Sequence, residues 1–379
     1  MRIVIDMQGA QTGSRFRGIG RYTLSLVKGI ARNCGEHEII LALSGLFPET
    51  IDFFFQEYAG LLPKENIKKW HALGPTRESQ QENKSRREIA ELVREAFLIG
   101  LNPDVVLITS LFEGLGDDAI SSIGRLNTNI ATAIILYDLI PLINPDIHFR
   151  NSNIHQEWYK RKLRWLKQSQ MLLAISESSR NEAVKILNYD SESVINISGA
   201  YDNLFSKTKI SADNKNNILD KFYIKRQFLL YVGGADERKN LHRLIMAYAQ
   251  LPWEIRQNYQ LVFAGKMPDD YVQNYKETAT RCGLSDDEFI NAGYISDKEL
   301  LILYNTCALF VFPSLHEGFG IPPLEAMACG APVITSNSTS LPEVIGLDEA
   351  MFDPTITSAS ILTNKKRVSG CRRRSTAIS

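Results

Sequence analysis

Between Phe312 and Glu325 the chain reads FPSLHEGFGIPPLE. A short apolar run ends at Phe312. A loop carrying His316, Glu317, Gly318 and Gly320 follows, and Pro322 and Pro323 then lead into LEAMA. Proline suits the first helical turn, where its missing N–H would have no partner. The segment therefore predicts strand, glycine loop and helix. A helix N-terminus at the end of a parallel strand presents free N–H groups and positive dipole, which suit a phosphate. The glycines let backbone approach a ligand closely. Glu317 on the loop and Glu325 on the helix are acceptor-only groups when ionised, matched to sugar or ribose hydroxyls. An ordinary turn followed by a capping glutamate fits the same spacing, and spacing alone leaves both readings open.

A second group follows the run FLLYVGG. Arg238 and Lys239 are two cations in a polar loop, and at the carboxyl end of a strand they can neutralise a diphosphate leaving group. A solvated Asp236–Arg238 turn is the other reading. The loop Arg15–Tyr22 holds Gly18 and Gly20, but its spacing is not that of the dinucleotide fingerprint. Asp138, after Tyr137 at the end of an apolar run, suits either an acceptor hydroxyl or the cap of the next turn. No DxD triplet occurs, so no motif points to a metal-bridged diphosphate, and no metal or cofactor is expected.

The elements that must hold these groups alternate. Arg2–Asp6, Ile39–Leu43, Asp104–Thr109, Ile130–Tyr137 and Met171–Ile175 read as strands. Gly20–Asn33 reads as a helix. Glu78–Phe97 reads as a long charged helix with Ile89, Leu92, Val93 and Phe97 as its apolar positions. The polar stretch within Ser198–Asn217 breaks the pattern, and a second series begins with Phe228–Val232. Such alternation predicts parallel sheets with crossover helices in two α/β domains, with ligands at the carboxyl ends of the strands and in an interdomain cleft. The expected boundaries are 1–205, 206–354 and a basic tail, 355–379.

The composition of the 379 residues excludes other classes. Apolar residues are 44% and charged residues 23%, near a globular average, so the chain is neither disordered nor fibrous. Lys+Arg and Asp+Glu are both 43, which leaves no basic footprint for nucleic acid. Six basic and no acidic residues follow Asp353, so residues 1–353 carry 37 basic against 43 acidic. The five cysteines are scattered without a CxxC pair, against a zinc site or disulfide framework and in keeping with a reducing cytoplasm. The N-terminus lacks a signal-peptide h-region, and no apolar run reaches the ~20 residues of a membrane span. The stretch KRKLRWLK, 160–167, with Trp158 and Trp165 on one helical face, suits contact with an anionic membrane surface or a solvated helix with its tryptophans in the core.

EGFGIPPLEAMACGAPVITSN resembles the glutamate-x7-glutamate signature of family 4 glycosyltransferases, retaining enzymes of the two-Rossmann GT-B fold. Other segments fall in the family's order: RGIGRYTLSL, ISESSRNEAV, YVGGADERKNLHRLI, FAGK, NAGYISDKEL, LPEVIG and FDP. The likeness covers residues 1–354. Within the family, IDMQGAQTGSRFRGIGRYT and YDLIPL resemble bacterial O-antigen mannosyltransferases. The resemblance implies a GT-B chain with its domains facing a cleft and the donor on the second domain. Glu317 would hold sugar hydroxyls and Glu325 the ribose. Gly318, Phe319 and Gly320 would offer backbone to sugar and phosphate, Tyr294 and Ile295 would lie near the base, and Gly265 and Ile321 would belong to the same donor site. Arg238 and Lys239, in the R-K-N form of one subgroup, would stabilise the departing diphosphate. Gly18 and Gly20 would border the donor phosphates and Asp138 the acceptor. Tyr137 stands where many relatives have histidine.

The implied reaction is retaining mannosyl transfer from GDP-mannose to an oligosaccharide or lipid-linked glycan, extending a bacterial surface polysaccharide. It implies a cytoplasmic protein with peripheral contact at the inner face of the membrane. Neither glutamate is implied as a glycosidase acid or nucleophile, which would need a partner carboxylate ~5 Å away across the scissile bond. A GT-B enzyme with another donor, and a catalytically impaired nucleotide-sugar-binding protein, stand as alternatives. The resemblance also implies a closing helix pair where residues 355–379 show neither apolar period nor caps and read as a disordered, truncated or frame-shifted tail.

Overall fold

Runs such as RIVID and FLLYV are apolar on both faces, as strands covered by helices on both sides must be. In the computed structural model they form two separate parallel sheets. The structure describes residues 1–357 apart from 17, 127, 128 and 151. The tail expected from 355 therefore lies, from 358 onward, outside the described residues. Among them no helix is long and apolar enough to cross a membrane.

The first unit spans Met1–Ser198. Its strands are β1 (Arg2–Asp6), β2 (Glu38–Ser44), β3 (Ile67–Trp70), β4 (Val105–Ile108), β5 (Ala131–Leu136), β6 (Met171–Ala174) and β7 (Val194–Asn196), in the order β3-β2-β1-β4-β5-β6-β7. The second unit begins at Gly199. It holds β8 (Gln227–Val232), β9 (Tyr259–Ala264), β10 (Phe289–Gly293), β11 (Leu309–Phe312), β12 (Val333–Ser336) and β13 (Met351–Phe352), in the order β10-β9-β8-β11-β12-β13. The expected boundary at 205 shifts upstream because Phe205 is fully buried in the second unit's core, where it packs edge-on against Tyr304. The polar stretch read as a break contains a helix, Ala212–Lys221, started by the Ser211 hydroxyl accepting from the Asn214 N–H at 3.3 Å.

The long helix of the first unit departs furthest from its reading. It runs Lys84–Gly100, starting later than expected, and of its four apolar positions Phe97 packs against the core while Ile89, Leu92 and Val93 face outward, 61%, 39% and 37% exposed. Its buried face carries Arg87, Ala90, Glu91, Arg94, Glu95 and Leu98. Asp6 ends β1 at 2% exposure and needs a cation. Arg94 supplies one through Nε at 2.8 Å and a second contact from Nη2, and its Nη1 donates to the Ser122 carbonyl at 2.8 Å. Glu95 accepts from the Ser122 hydroxyl at 2.7 Å and the Leu126 N–H at 2.8 Å. A paired carboxylate at the strand end thus outranks helical periodicity in choosing which face is buried.

The basic stretch 160–167 divides in the same way. In the helix Asn153–Leu166, Trp158, Lys162 and Trp165 are buried, so the tryptophans belong to the core. The Lys162 ammonium lies 5.0 Å from the Trp165 ring and donates to the Ser121 hydroxyl at 2.5 Å. Burial, with the Arg161 charge beside it, pushes Lys162 down to about 7.

Candidate functional site

β8 is the first strand of the second unit, and the chain winds outward from it in both directions, to β9 on one side and β11 on the other. The carboxyl end of such a reversal is where open parallel sheets bind ligands. Three loops meet there. After β8, the turn Glu237–Lys239 carries both cations, with the Asp236 carboxylate accepting from the Arg238 N–H at 3.0 Å. After β11 comes the loop 313–320, and after β12 the hydroxyl run Ser338–Ser340. Asn240, in a left-handed conformation, ties the first two loops by donating to the Pro313 carbonyl at 3.1 Å and to that of Pro354 at 2.8 Å.

Glu317 is the centre of the arrangement. One carboxylate oxygen accepts from Lys239 Nζ at 2.6 Å and the other from Arg238 Nη1 at 2.9 Å. Arg238 Nη1 also donates to the His316 carbonyl at 2.9 Å. The two cations and the loop glutamate, read from separate motifs, are therefore one cluster. Thr339 and Ser340 were not singled out in the sequence. The Thr339 hydroxyl accepts from the Glu317 N–H at 3.0 Å, and the Ser340 hydroxyl donates to the carbonyls of Glu317 and Phe319 at 3.0 and 2.7 Å. Their signal in the sequence was a Ser/Thr run before LPEVI, which reads only as a helix start.

Burial by itself would raise the Glu317 pKa. The Lys239 ammonium, then the Arg238 guanidinium, override it and hold the carboxyl at about 2, against 4.5 for a free glutamate. Its folded pKa is thus depressed, so the ion pairs stabilise the unit fully above about pH 4.5, and that contribution is lost as pH falls toward about 2. A series of melts across this window is expected to show a steeper acid loss for the wild type than for Glu317→Gln. Equal slopes would mean that the pairs do not form in solution.

The helix Ile321–Ala328 begins at the cluster, with prolines in its first turn and Gly320 as its cap at φ 113°. A Cβ on Gly320 would stand 2.7 Å from Leu341, so the backbone of this loop is pressed against the next helix. Phe319 points inward: its ring lies 2.3 Å from where a Cβ on Gly199 would be. What Gly318, Phe319 and Gly320 offer outward is therefore backbone. Glu325 lies one helical turn further on, 3% exposed, and accepts from the Tyr304 hydroxyl at 3.0 Å.

Gly265 follows β9 at φ 134°, where a Cβ would sit 2.3 Å from the Gly233 carbonyl oxygen after β8. Only glycine permits this approach of neighbouring strand ends. Beyond β10, Tyr294 is 74% exposed while Ile295 packs on the core. Among the described residues, no three His, Cys, Asp or Glu side chains gather as they would around a metal.

The remaining sequence candidates lie in the first unit. Gly18 starts the helix Gly18–Arg32, and Gly20 lies where a Cβ would meet Arg15 Cα at 2.2 Å. Asp138 accepts from the Ile140 N–H at 3.0 Å, the turn-capping geometry. Tyr137 turns into the unit, its hydroxyl 3.0 Å from that of Thr23. Glu113, missed in the sequence, follows β4 and accepts from Thr12 and Ser110 hydroxyls at 3.1 and 2.9 Å. Burial and the nearby Asp117 charge push it up to about 7.

Residues 214–363 match the family described as Glycosyl transferases group 1. The chain is 39% identical over 355 residues to the serotype-specific mannosyltransferase WbdA of Escherichia coli, across 93% of this chain and 42% of that protein. It is 36% identical over 192 residues to the O-antigen chain mannosyltransferase B of Escherichia coli, across 50% of this chain and 49% of that one. The chain thus spans less than half the length of WbdA. Anabaena HepE, solved in complex with UDP-glucose, shares the fold at TM-score 0.69 and 18% identity, over 100% of this chain and 94% of that one. WaaG, a glycosyltransferase involved in lipopolysaccharide biosynthesis, does so at 0.65 and 15%, over 100% and 93%. The two parallel sheets are those of the GT-B class that the signature implied.

Proposed function

From the premise that the chain carries a glycosyl transferases group 1 domain, we propose that it transfers a mannosyl group, with retention, from GDP-mannose to a growing bacterial surface glycan. The observation that carries the reading is the Lys239–Glu317–Arg238 cluster at the carboxyl ends of β8 and β11, beside a helix N-terminus. The diphosphate is assigned to Lys239, Arg238 and the N–H groups of the loop 318–321, with no metal step. Glu317 orients sugar hydroxyls and holds both cations in place. Glu325 is assigned to the ribose, and Gly265, Tyr294 and Ile295 to the surroundings of the base. The acceptor oxygen attacks the anomeric carbon on the face that the nucleotide leaves. The bond from that carbon to the phosphate oxygen breaks, and the acceptor proton passes to the departing diphosphate. The cations act mainly as negative charge grows on that diphosphate, so they lower the barrier more than they tighten ground-state binding. The mannosyl donor and glycan acceptor rest on the relatives' names, and the nucleotide rests on the resemblance.

A thermal-shift titration against GDP, UDP, ADP and their sugar conjugates tests the donor. A ligand at 100-fold its dissociation constant adds about 2.7 kcal/mol to the unit that binds it. The expected result is stabilisation by GDP and GDP-mannose above the others, followed by mannose incorporation into an oligosaccharide acceptor. Preference for another nucleotide would overturn the donor assignment. Binding without transfer would favour the nucleotide-sugar-binding alternative.

A further inference from the structure

The sheet of the first unit reverses at β1, with β2 on one side and β4 on the other. Ligands bind at the carboxyl end of such a reversal. Two loops meet there. Gly9, in the loop that leaves β1, is pressed on the end of β4: a Cβ on it would stand 2.6 Å from Ser110 Cβ. Glu113, 5% exposed, closes the junction. One of its oxygens accepts from the Thr12 hydroxyl at 3.1 Å and the other from the Ser110 hydroxyl at 2.9 Å. The Thr12 hydroxyl oxygen accepts from the Ser14 N–H at 3.1 Å, so its single proton is committed to Glu113. The hold passes along the chain. The Thr12 carbonyl accepts from the Arg15 N–H at 3.1 Å, and the Arg15 backbone packs on Gly20 in the first turn of the helix Gly18–Arg32. An ionised carboxylate is acceptor-only and suits two hydroxyl donors. A protonated one carries an O–H of its own and leaves one hydroxyl without its acceptor. Asp117 faces Glu113 from the same loop, and Tyr137 faces it from the end of β5. Arg15 is drawn to Glu49, 4.0 Å away, and Lys162, on the helix Asn153–Leu166, acts on Asp117. Burial, with the Asp117 charge, disfavours the ionised form of Glu113, so the charge lowers the stability of the unit wherever it is present. A charge kept against that cost at a ligand-binding edge marks a functional group.

We propose that Glu113 is a positioning residue of the transfer reaction: its carboxylate ties the β1 loop to the end of β4 in the form that takes substrate, and the tie loosens when the carboxyl is protonated. Hydrogen bonds to an ionised acceptor are about twice as strong as neutral ones, so the tie depends on the charge. A side chain that only filled the junction would be replaced by glutamine with a gain in stability and no loss. A positioning carboxylate would be replaced with the same gain and a looser loop. The link to turnover rests on the proposed glycosyl transfer, whereas the tie itself does not.

Melts, trypsin nicking after Arg15 and transfer assays on the full chain test this with Glu113→Gln and Thr12→Val. The folded carboxyl titrates at about 7 against 4.5 for a free glutamate, so the native state binds the extra proton and wild-type stability falls as pH rises through that window. Glu113→Gln should lack this fall and melt above the wild type near pH 8, the gap closing toward acid. Lys162 also titrates at about 7, but it does so in both chains and cancels in the comparison. Thr12→Val, which keeps the carboxyl, should keep the fall. Near pH 8 trypsin should nick both variants several-fold faster than the wild type, although Glu113→Gln is the more stable chain. Near pH 6 the wild type should be nicked as fast as Glu113→Gln. Transfer by Glu113→Gln should be about tenfold below the wild type near pH 8, in keeping with one lost hydrogen bond to a charged group, and equal to it near pH 6. Equal nicking of Glu113→Gln and wild type near pH 8, or a nicking ratio that pH does not change, would overturn the tie. Wild-type transfer by Glu113→Gln near pH 8 would overturn its role in the reaction. A wild type that transfers nothing would remove the proposed function and that role with it, while the nicking and the melts would still decide the tie.

Discussion

Lys239→Ala is expected to lower turnover by about two to three orders of magnitude, the range seen when one preorganised donor to a developing anion is removed. Lys239 Nζ is held 2.6 Å from Glu317, and this pair fixes the ammonium at the end of β8 before any ligand arrives. The same contact predicts a second effect that the sequence does not suggest. Read from the sequence alone, Lys239 is a loop cation whose removal leaves folding intact. In the structure it is buried and ion-paired, so its loss takes one of two cations from the Glu317 carboxylate and leaves Arg238. Breaking a buried pair costs roughly 3–5 kcal/mol, and the remaining guanidinium keeps this case near the lower end. The double variant Lys239→Ala/Glu317→Gln separates the two effects. It should recover most of the melting temperature and none of the turnover. Wild-type turnover in the single variant would mean that the leaving group lies elsewhere.

Arg94→Ala is expected to be the most destabilising substitution in the first unit. Arg94 is among the largest fully buried side chains, and it joins the end of β1 through Asp6 to the backbone at Ser122. Truncating it takes the cation from a carboxylate that is 2% exposed and leaves it to the neutral donors of Gln8, the backbone N–H at 3.1 Å and the side-chain amide at 3.1 Å. The expected loss is about 3–5 kcal/mol, read as a large fall in the first unit's melting temperature. Lysine should rescue little, because one ammonium cannot reproduce the fork that reaches both Asp6 and Ser122. Stabilisation by nucleotide, proposed above for the second unit, should persist wherever that unit stays folded. A melt like the wild type's would show that Asp6 is satisfied without Arg94.

Local elements were legible where neighbours in the chain decide them. FPSLHEGFGIPPLE reads as strand, loop and helix because prolines, glycines and a four-residue apolar run constrain only their own surroundings, and the structure follows it to within a residue or two. In the helix Asp297–Thr306 the same local control is seen in the structure, where Ser296 and Glu299 form a capping box. The long helix Lys84–Gly100 was misread because periodicity marks two faces without saying which one meets the sheet. That choice went to the face able to satisfy Asp6, a residue 88 positions away.

By itself the sequence determined the inventory: two α/β series, a cation pair after one strand, and a glutamate–glycine loop after another. Each is a property of a short window of residues, set by local sterics, helix capping and apolar period. The tertiary structure decided that β11 lies against β8, and this strand order brings Glu317 onto Arg238, 79 residues earlier in the chain. It also drew Thr339 and Ser340 in behind the loop from β12. Sheet order is a long-range choice, made by burying apolar strands on both faces and pairing the charges left at their ends. The site formed only once that choice had been made.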